Sequence, residues 1–253
     1  MDREFEVGAW LTPQHCTVDQ LRAAWRAAED AGADSLWLWD HFFPVTGDPD
    51  GVHFEGWTLL SALAVDTSRA AVGMLVTNAS YRNPDLLADM ARTVDHLSGG
   101  RAVLGMGAGW FERDCTEYGY PFPSGRERVR VLQGAVERVR DRLARLVPGP
   151  MGPLPLLLAG DGQQHLLRVV ATHADLWNTM AWRFVESSQA LDRWCEKVGR
   201  DPAEIRRTAF LVGEPDPAQV DELLAAGAQH LMLQLNAPYE LAPLRGLIDR
   251  AGG

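Results

Sequence analysis

The chain has 253 residues, of which 46% are hydrophobic and 23% charged, and its formal net charge is −10. This composition is typical of a soluble globular protein, and the excess of acidic residues argues against nucleic acid or an anionic membrane as the main partner. There is no run of 18 apolar residues, and the first residues, MDREFEVGAW, lack a signal-peptide pattern. We therefore expect a cytoplasmic protein. Its three widely spaced cysteines, Cys16, Cys115 and Cys195, are expected to be reduced thiols.

Strand-like and helix-like segments alternate from one end of the chain to the other. The predicted strands are residues 5–10, 35–39, 70–76, 102–106, 155–159, 175–178, 207–212 and 230–235. The predicted helices are residues 18–31, 57–65, 84–97, 125–146, 163–172, 187–198, 217–226 and 241–251. Eight such repeats favour an α/β fold of the (β/α)₈ TIM-barrel type, with one domain over residues 1–253. A doubly wound open sheet is the alternative, although no GxGxxG follows the first strand.

A glycine cluster lies at the end of the fourth predicted strand, within residues 98–110 (SGGRAVLGMGAGW). The cluster consists of Gly105, Gly107 and Gly109, and Ala108 stands between the last two. Glycine weakens a strand, so the cluster indicates either that something approaches the backbone closely or that a tight loop is packed here for its own sake. In a TIM barrel the carboxyl ends of the strands hold the active site.

Asp40 and His41 end the second predicted strand and would also lie at the barrel mouth. Histidine can donate or accept a proton near neutral pH, so this pair is a candidate catalytic group. The alternative is that Asp40 caps a local turn and His41 packs beside it. We expect no metal here, because no further ligand stands at the required spacing.

Three other strand exits carry polar or glycine-rich segments. Thr77 and Asn78 follow the third strand and could bind a planar heterocycle or simply be solvated. Residues 159–165 (AGDGQQH) lead into a predicted helix whose first turn carries Gln163, Gln164 and His165. This segment predicts either a phosphate site at the helix N-terminus or a turn in which Asp161 is the N-cap. Trp177, at the end of the sixth strand, could extend the site or belong to the core.

Together these segments resemble the luciferase-like monooxygenase superfamily, in particular its deazaflavin (coenzyme F420)-dependent oxidoreductases. The resemblance covers most of the chain and is carried by five segments, taken in order. They are AEDAGADSLWLWDHF (28–42), the NASYRNP run ending at Pro84, DHLSGGRAVLGMGAGW (95–110), YGYPF (118–122) and LLLAGDGQQHLLRVVATHADLWN (156–178).

The resemblance implies a TIM barrel that binds F420 or FMN at the carboxyl ends of its strands. It places Asp40 and His41 beside the ring, with an unusual backbone, often a non-proline cis peptide, near Leu75–Thr77. The remaining cofactor contacts that it implies are Val76, Asn78, Gly107, Ala108, Gly109, Ala159, Gly160, Gly162, Gln163 and Trp177. Arg82, Arg126, Arg128 and His165 lie in segments that should face the mouth, where they could meet an anionic cofactor tail.

The chain departs from this resemblance at two kinds of position. Sugar-phosphate dehydrogenases of the family carry a tryptophan and a glutamate where this chain has Val45 and Trp110, which makes glucose-6-phosphate oxidation an improbable activity. The long insertion usual between the fourth helix and the fifth strand is shortened to residues 147–153.

We therefore expect an F420-dependent oxidoreductase that transfers hydride between F420 and a small organic substrate, with His41 as the proton donor. One alternative is an FMN-dependent monooxygenase that works with a separate reductase. Another is a (deaza)flavin-binding protein without catalysis, and a metal-dependent hydrolase is more distant. The apolar helix at 57–65 could be buried or could form a homodimer interface.

Overall fold

The computed structural model describes residues 3–162 and 164–252. Its strands are β1 (Glu6–Leu11), β2 (Ser35–Leu38), β3 (Ala71–Met74), β4 (Thr77–Asn78), β5 (Ala102–Gly107), β6 (Leu156–Ala159), β7 (Leu176–Met180), β8 (Arg206–Leu211) and β9 (His230–Leu235). Its helices are α1 (Val18–Asp30), α2 (Gly56–Asp66), α3 (Pro84–Ser98), α4 (Glu112–Glu117), α5 (Gly125–Leu143), α6 (Leu166–His173), α7 (Phe184–Val198), α8 (Pro217–Ala225) and α9 (Ala242–Arg250). No helix in these ranges is both long and apolar enough to cross a membrane.

All the strands are parallel and the sheet closes on itself. The strand β1 pairs with both β2 and β9, and the ladder continues through β8, β7, β6 and β5. Both β3 and β4 pair with β5, so these two short strands occupy one position of an eight-position barrel. The predicted TIM barrel is confirmed, and the open doubly wound sheet is excluded by this closure.

The third predicted strand is interrupted where the sequence indicated one continuous segment. The Leu75 N–H still donates to the Leu38 carbonyl at 2.7 Å, after which the chain leaves β2 and resumes pairing with β5 alone. The peptide between Leu75 and Val76 is cis, and it joins two residues other than proline. The unusual backbone that the family resemblance implied at this place is therefore present.

Strand alternation divides the apolar core into two layers. Leu36 and Leu38 of β2 face the surrounding helices, whereas Trp37 and Trp39, the residue after the end of this strand, face the barrel interior. The interior layer also contains Trp10, Leu75, Leu157, Leu176, Phe210 and Met232. Because parallel strands are covered on both sides, their sequences are almost continuously apolar.

Local signals fix the ends of several helices much as the sequence predicted. Thr17 and Gln20 form a capping box at the start of α1, and Ser124 and Glu127 form another at α5. Helix α7 begins three residues before the prediction. Its last turn carries Lys197, the only lysine of the chain, whose Nζ lies 4.6 Å from the centre of the Trp194 ring.

The short helix α4 was missed by the sequence analysis. It has six residues, which is less than two turns, so it cannot show the apolar periodicity by which a helix is identified. It lies between β5 and α5, at the carboxyl end of the barrel, and it brings the buried Asp114 to the site described below.

Gly105 is required by the close approach of β3. A Cβ atom at this position would lie 1.9 Å from the carbonyl oxygen of Met74, a backbone atom that cannot turn away. We therefore predict that Gly105→Ala lowers the free energy of unfolding by about 2 kcal/mol or more. Gly134→Ala is the matched control, because Gly134 lies within α5 with open space around its Cβ position, and it should stabilise by about 0.5–1 kcal/mol. Urea unfolding of both variants measures the difference, and equal midpoints would contradict the packing argument.

His230 makes the stability of the fold depend on pH. Burial, followed by the charge of Arg206, lowers the pKa of this imidazole to about 3. The indole Nε1–H of Trp37 donates to Ser35 Oγ, so the Ser35 hydroxyl can donate its own proton to His230 Nε2, 2.8 Å away. A ring nitrogen that accepts this bond belongs to a neutral imidazole. As the pH falls below about 6.5, the unfolded chain takes up the proton first, and stability decreases until the folded histidine is also protonated.

We expect this residue alone to lower the free energy of unfolding by about 2 kcal/mol between pH 7 and pH 5. Urea titrations at the two pH values, on the parent and on His230→Gln, provide the measurement. The variant should lose that part of the pH dependence, whereas His165→Gln, at an exposed position, should keep it. A parent whose stability is the same at both pH values, or a His230→Gln variant with the full dependence, would contradict a neutral buried His230.

Candidate active site

A cavity of about 720 Å³ opens at the carboxyl ends of the strands. Its volume is within the range of small-molecule sites, which is about 300–1,000 Å³. Most of the residues predicted to form a site line it. These are Asp40, His41, Leu75, Val76, Asn78, Gly107, Ala108, Gly109, Ala159, Gly160 and Gly162. The barrel therefore brings together residues that are as much as 122 positions apart in the chain.

Two predicted contacts, Thr77 and Trp177, do not line this cavity, and Gln163 lies outside the described residues. Thr77 is fully buried, and its hydroxyl oxygen accepts a hydrogen bond from Trp57 Nε1. Trp177 stacks on Phe184, on the helix side of the sheet. Because side chains alternate along a strand, it is the following residue, Asn178, that lines the cavity.

The glycines at the end of β5 give room to the chain itself. A Cβ atom at Gly107 would lie 2.6 Å from Val76 Cγ2, and one at Gly109 would lie 2.3 Å from Asn78 Nδ2. The sequence left open whether these glycines serve a tightly packed loop or the close approach of another group. The structure shows a tightly packed loop that also forms part of the cavity wall.

Asp40 is almost completely buried and forms an ion pair with Arg82. The two guanidinium nitrogens donate to its two carboxylate oxygens at 2.6 and 2.9 Å, and the Asn78 N–H donates to one of them at 3.0 Å. Burial raises the pKa of the Asp40 carboxyl, while Arg82 and Asn78 oppose this shift. Both oxygens accept N–H bonds, a pattern that favours the ionised carboxylate. Asp40 therefore ties β2 to β4, and Arg82 is held by Asp40 and is not a free cation at the mouth.

His41 is oriented by Asp114, which the sequence analysis did not identify. His41 Nδ1 lies 2.7 Å from Asp114 Oδ2, and Asp114 is fully buried. The carboxylate oxygen can only accept, so the bond assigns the Nδ1 proton to His41 and leaves Nε2 as the nitrogen available to a ligand. Within the described residues no hydrogen bond engages Nε2.

Three further donors complete the environment of Asp114. The backbone N–H groups of Phe42 and Phe43 donate to Oδ1 at 3.0 and 3.2 Å, and the Tyr81 hydroxyl donates to Oδ2 at 3.0 Å. Burial and the negative charge of Asp114 raise the pKa of Tyr81 well above its usual value, so the phenol stays protonated and donates. With all its partners in place, Asp114 fixes the position and the tautomer of His41.

Aromatic rings form one continuous wall of the cavity. Phe210 contacts Trp10 edge to face with ring centres 4.4 Å apart, Trp10 contacts Trp39 at 5.3 Å, and Trp39 contacts His41 at 5.2 Å. Trp39 is fixed by a bond from its Nε1 to His53 Nε2 at 2.9 Å. Because burial lowers the pKa of His53 to about 4, this imidazole is neutral at pH 7 and can accept that bond.

The predicted start of the fifth predicted helix, which is α6 of the structure, is wrong. The helix begins at Leu166, so Gln164 and His165 precede it, and His165 is the N-cap residue without a side-chain capping bond. Asp161 is therefore not the N-cap, and its carboxylate forms an ion pair with Arg183 at 2.7 Å. The phosphate site proposed for this segment stays a prediction.

The matching family model, described as luciferase-like monooxygenase, covers residues 4–246. Among curated proteins, the chain is 29% identical to an F420-dependent glucose-6-phosphate dehydrogenase of Amycolatopsis mediterranei over 53% of this chain and 45% of that protein. It is 28% identical to the phthiodiolone/phenolphthiodiolone dimycocerosates ketoreductase of Mycobacterium tuberculosis, over 74% of this chain and 59% of the relative. The chain thus spans about half the length of these curated relatives.

A solved F420-dependent secondary alcohol dehydrogenase, in complex with an F420–acetone adduct, has a similar fold. The two superimpose with a TM-score of 0.85 and 16% identity, over 98% of this chain and 99% of the other. At this identity the likeness concerns the fold alone. The match of the family model over nearly the whole chain confirms the resemblance noted in the sequence: the protein belongs to the luciferase-like monooxygenase family.

Proposed function

We propose that the protein is an F420-dependent oxidoreductase that acts on a small organic substrate. The observation that carries the proposal is the pairing of His41 with the buried Asp114, which leaves Nε2 of His41 at the wall of a cavity large enough for a ring system and a small substrate. The names of relatives and of a structural neighbour, which include F420-dependent dehydrogenases, support this choice of cofactor.

The cavity walls are suited to a planar cofactor on one side. The exits of β5 and β6 contribute residues with little or no side chain, among them Gly107, Ala108, Ala159 and Gly160, so a flat ring can lie close to the backbone. Asn78 and Asn178 also line the cavity. Asn178 Nδ2 donates to Thr208 Oγ1, and Oδ1 of the same amide, which has no hydrogen bond within the described residues, is the acceptor that it offers to a heterocycle. When bound, a deazaflavin supplies or accepts hydride, and the protein provides orientation and a proton.

His41 would give a proton to the substrate oxygen during reduction and take one during oxidation. Nε2 is the atom involved, because Asp114 holds Nδ1. The carboxylate also stabilises the imidazolium that forms whenever Nε2 accepts a proton. Trp39, Trp110 and Phe111 contact the ring of His41 edge to face or nearly so and limit its rotation.

FMN is the alternative cofactor, since the family is named for monooxygenases. We predict that F420 binds with a micromolar or smaller dissociation constant and at least tenfold more tightly than FMN, measured by fluorescence titration. Ala108→Leu, which adds volume at the cavity wall, should weaken binding at least tenfold, while Ala218→Leu, at an exposed position of α8, should not change it. Preferential binding of FMN would favour the monooxygenase reading, and binding of neither cofactor would contradict both.

The role of His41 is tested by turnover with F420 and the most active compound of a substrate screen. We expect His41→Gln to lower kcat by a factor of about 10²–10⁴, because general acid–base catalysis is lost. Asp114→Asn should lower it at least tenfold, because the amide no longer fixes the Nδ1 proton. Asp85→Asn is the control, a carboxylate paired with Arg138 on the surface, and should leave kcat unchanged.

Kcat values within threefold of the parent in both site variants would reject the proton-transfer role. The F420 titration above is repeated on each variant, so that a loss of cofactor binding is not mistaken for a loss of catalysis. Tight binding of F420 without turnover of any compound by the parent would favour a binding protein without catalysis.

A further inference from the structure

The part of the cavity opposite the glycine-rich wall has the properties of a substrate site for a particular class of compound. Phe210, Trp10 and Trp39 form this part, and each ring packs edge to face on the next. All three are buried, with at most 9% of their surface exposed. Rings packed in this way present a largely apolar surface of fixed shape to whatever lies in the cavity. The buried Nε1 of Trp10 has no hydrogen-bond partner among the described residues, so the wall also carries one uncharged donor.

The charged groups that line the cavity are already paired within the chain. Asp40 binds both terminal nitrogens of Arg82, and Asp161 binds Arg183. The other two ionisable side chains of the lining, His41 and Tyr81, are both hydrogen-bonded to Asp114. Among the described residues, the lining contains no lysine, arginine or glutamate.

These pairings leave no counter-charge for a charged substrate beside the aromatic wall. A carboxylate or phosphate would lose its hydration there without gaining a free cation, because Arg82 is held by Asp40, and it would meet the negative charge of Asp114 behind His41. An ammonium group would lose its hydration without gaining a free carboxylate, because Arg82 occupies both oxygens of Asp40. An uncharged group incurs neither penalty.

We propose that the wall formed by Phe210, Trp10 and Trp39 selects uncharged substrates with an apolar body. The hydroxyl or carbonyl oxygen of such a substrate is directed at Nε2 of His41. The proposal rests on the function proposed above, because it assigns to the substrate the half of the cavity opposite the wall proposed for the cofactor. It places charged compounds, sugar phosphates included, outside the substrate range.

The test uses three cyclohexanols that differ only in the group at carbon 4. They are trans-4-methylcyclohexanol, trans-4-aminocyclohexanol, which is an ammonium at pH 7, and trans-4-hydroxycyclohexanecarboxylate. Each is titrated calorimetrically into the protein saturated with oxidised F420. We expect the methyl compound to bind at least tenfold more tightly than either charged analogue.

A preference smaller than tenfold, or no binding of the methyl compound, overturns the inference. Saturation with F420 is verified beforehand by its fluorescence. If F420 does not bind, the proposed function fails, and this result is distinct from failure of the charge discrimination in the F420-loaded protein.

A charge-introducing variant gives a second measurement. Val212 lines the cavity two residues after Phe210 and is half exposed, so an arginine there can be accommodated at the mouth. Val212→Arg should strengthen binding of the carboxylate probe at least tenfold. The control Val65→Arg makes the same change at an exposed position of α2 and should have no effect. Unchanged carboxylate binding in Val212→Arg would contradict the placement of the substrate against this wall.

Discussion

The buried carboxylate of Asp114 is the interaction on which the organisation of the barrel mouth depends. A charge in this position is stable only if its oxygens are saturated with hydrogen bonds, and Asp114 receives four of them from the loops after β2 and β4. No continuous hydrogen-bonded strand ladder joins those loops within the described residues, because the pairing with β2 ends at Leu75 and β4 pairs with β5. One carboxylate thus holds together the parts of the mouth that the sheet itself leaves unconnected, and it orients His41 at the same time.

Asp40 has a related but different part. It reaches Arg82 and the Asn78 N–H from the end of β2, and so connects the same two strand positions. Asp40 and Asp114 are both buried, and within the described part of the chain it is Asp114 that hydrogen-bonds the imidazole of His41. Both carboxylates therefore support the fold of the mouth, and Asp114 also supports the imidazole.

Much of the fold followed from the sequence, because parallel strands and covering helices leave strong local patterns. The apolar strands and the eightfold alternation of strand-like and helix-like segments were sufficient to predict a closed barrel. The site was only partly predictable. Asp40, His41 and the glycines end strands and can be found from that position, whereas Asp114 lies in a helix too short to have a periodic pattern.

The direction of side chains accounts for the other differences. The family resemblance implied a cofactor contact for Trp177, whereas its position at a strand end left the site and the core both open. It belongs to the core, because a shift of one residue along a strand moves a side chain to the opposite face. The start of α6 was placed too early because Gly160 and Gly162 suggested a helix N-terminus. These glycines instead accommodate Leu166, whose side-chain atoms would lie 2.2 Å and 3.2 Å from the Cβ positions of the two residues.

The single lysine has a practical consequence. Lys197 lies in the last turn of α7, and the helices of a parallel barrel end at the face opposite the mouth, where the next strand begins. Coupling the side-chain amine of this residue to a surface or a resin would attach the protein by the face opposite the mouth. The molecules would then be immobilised in one orientation, with the cavity turned towards the solution.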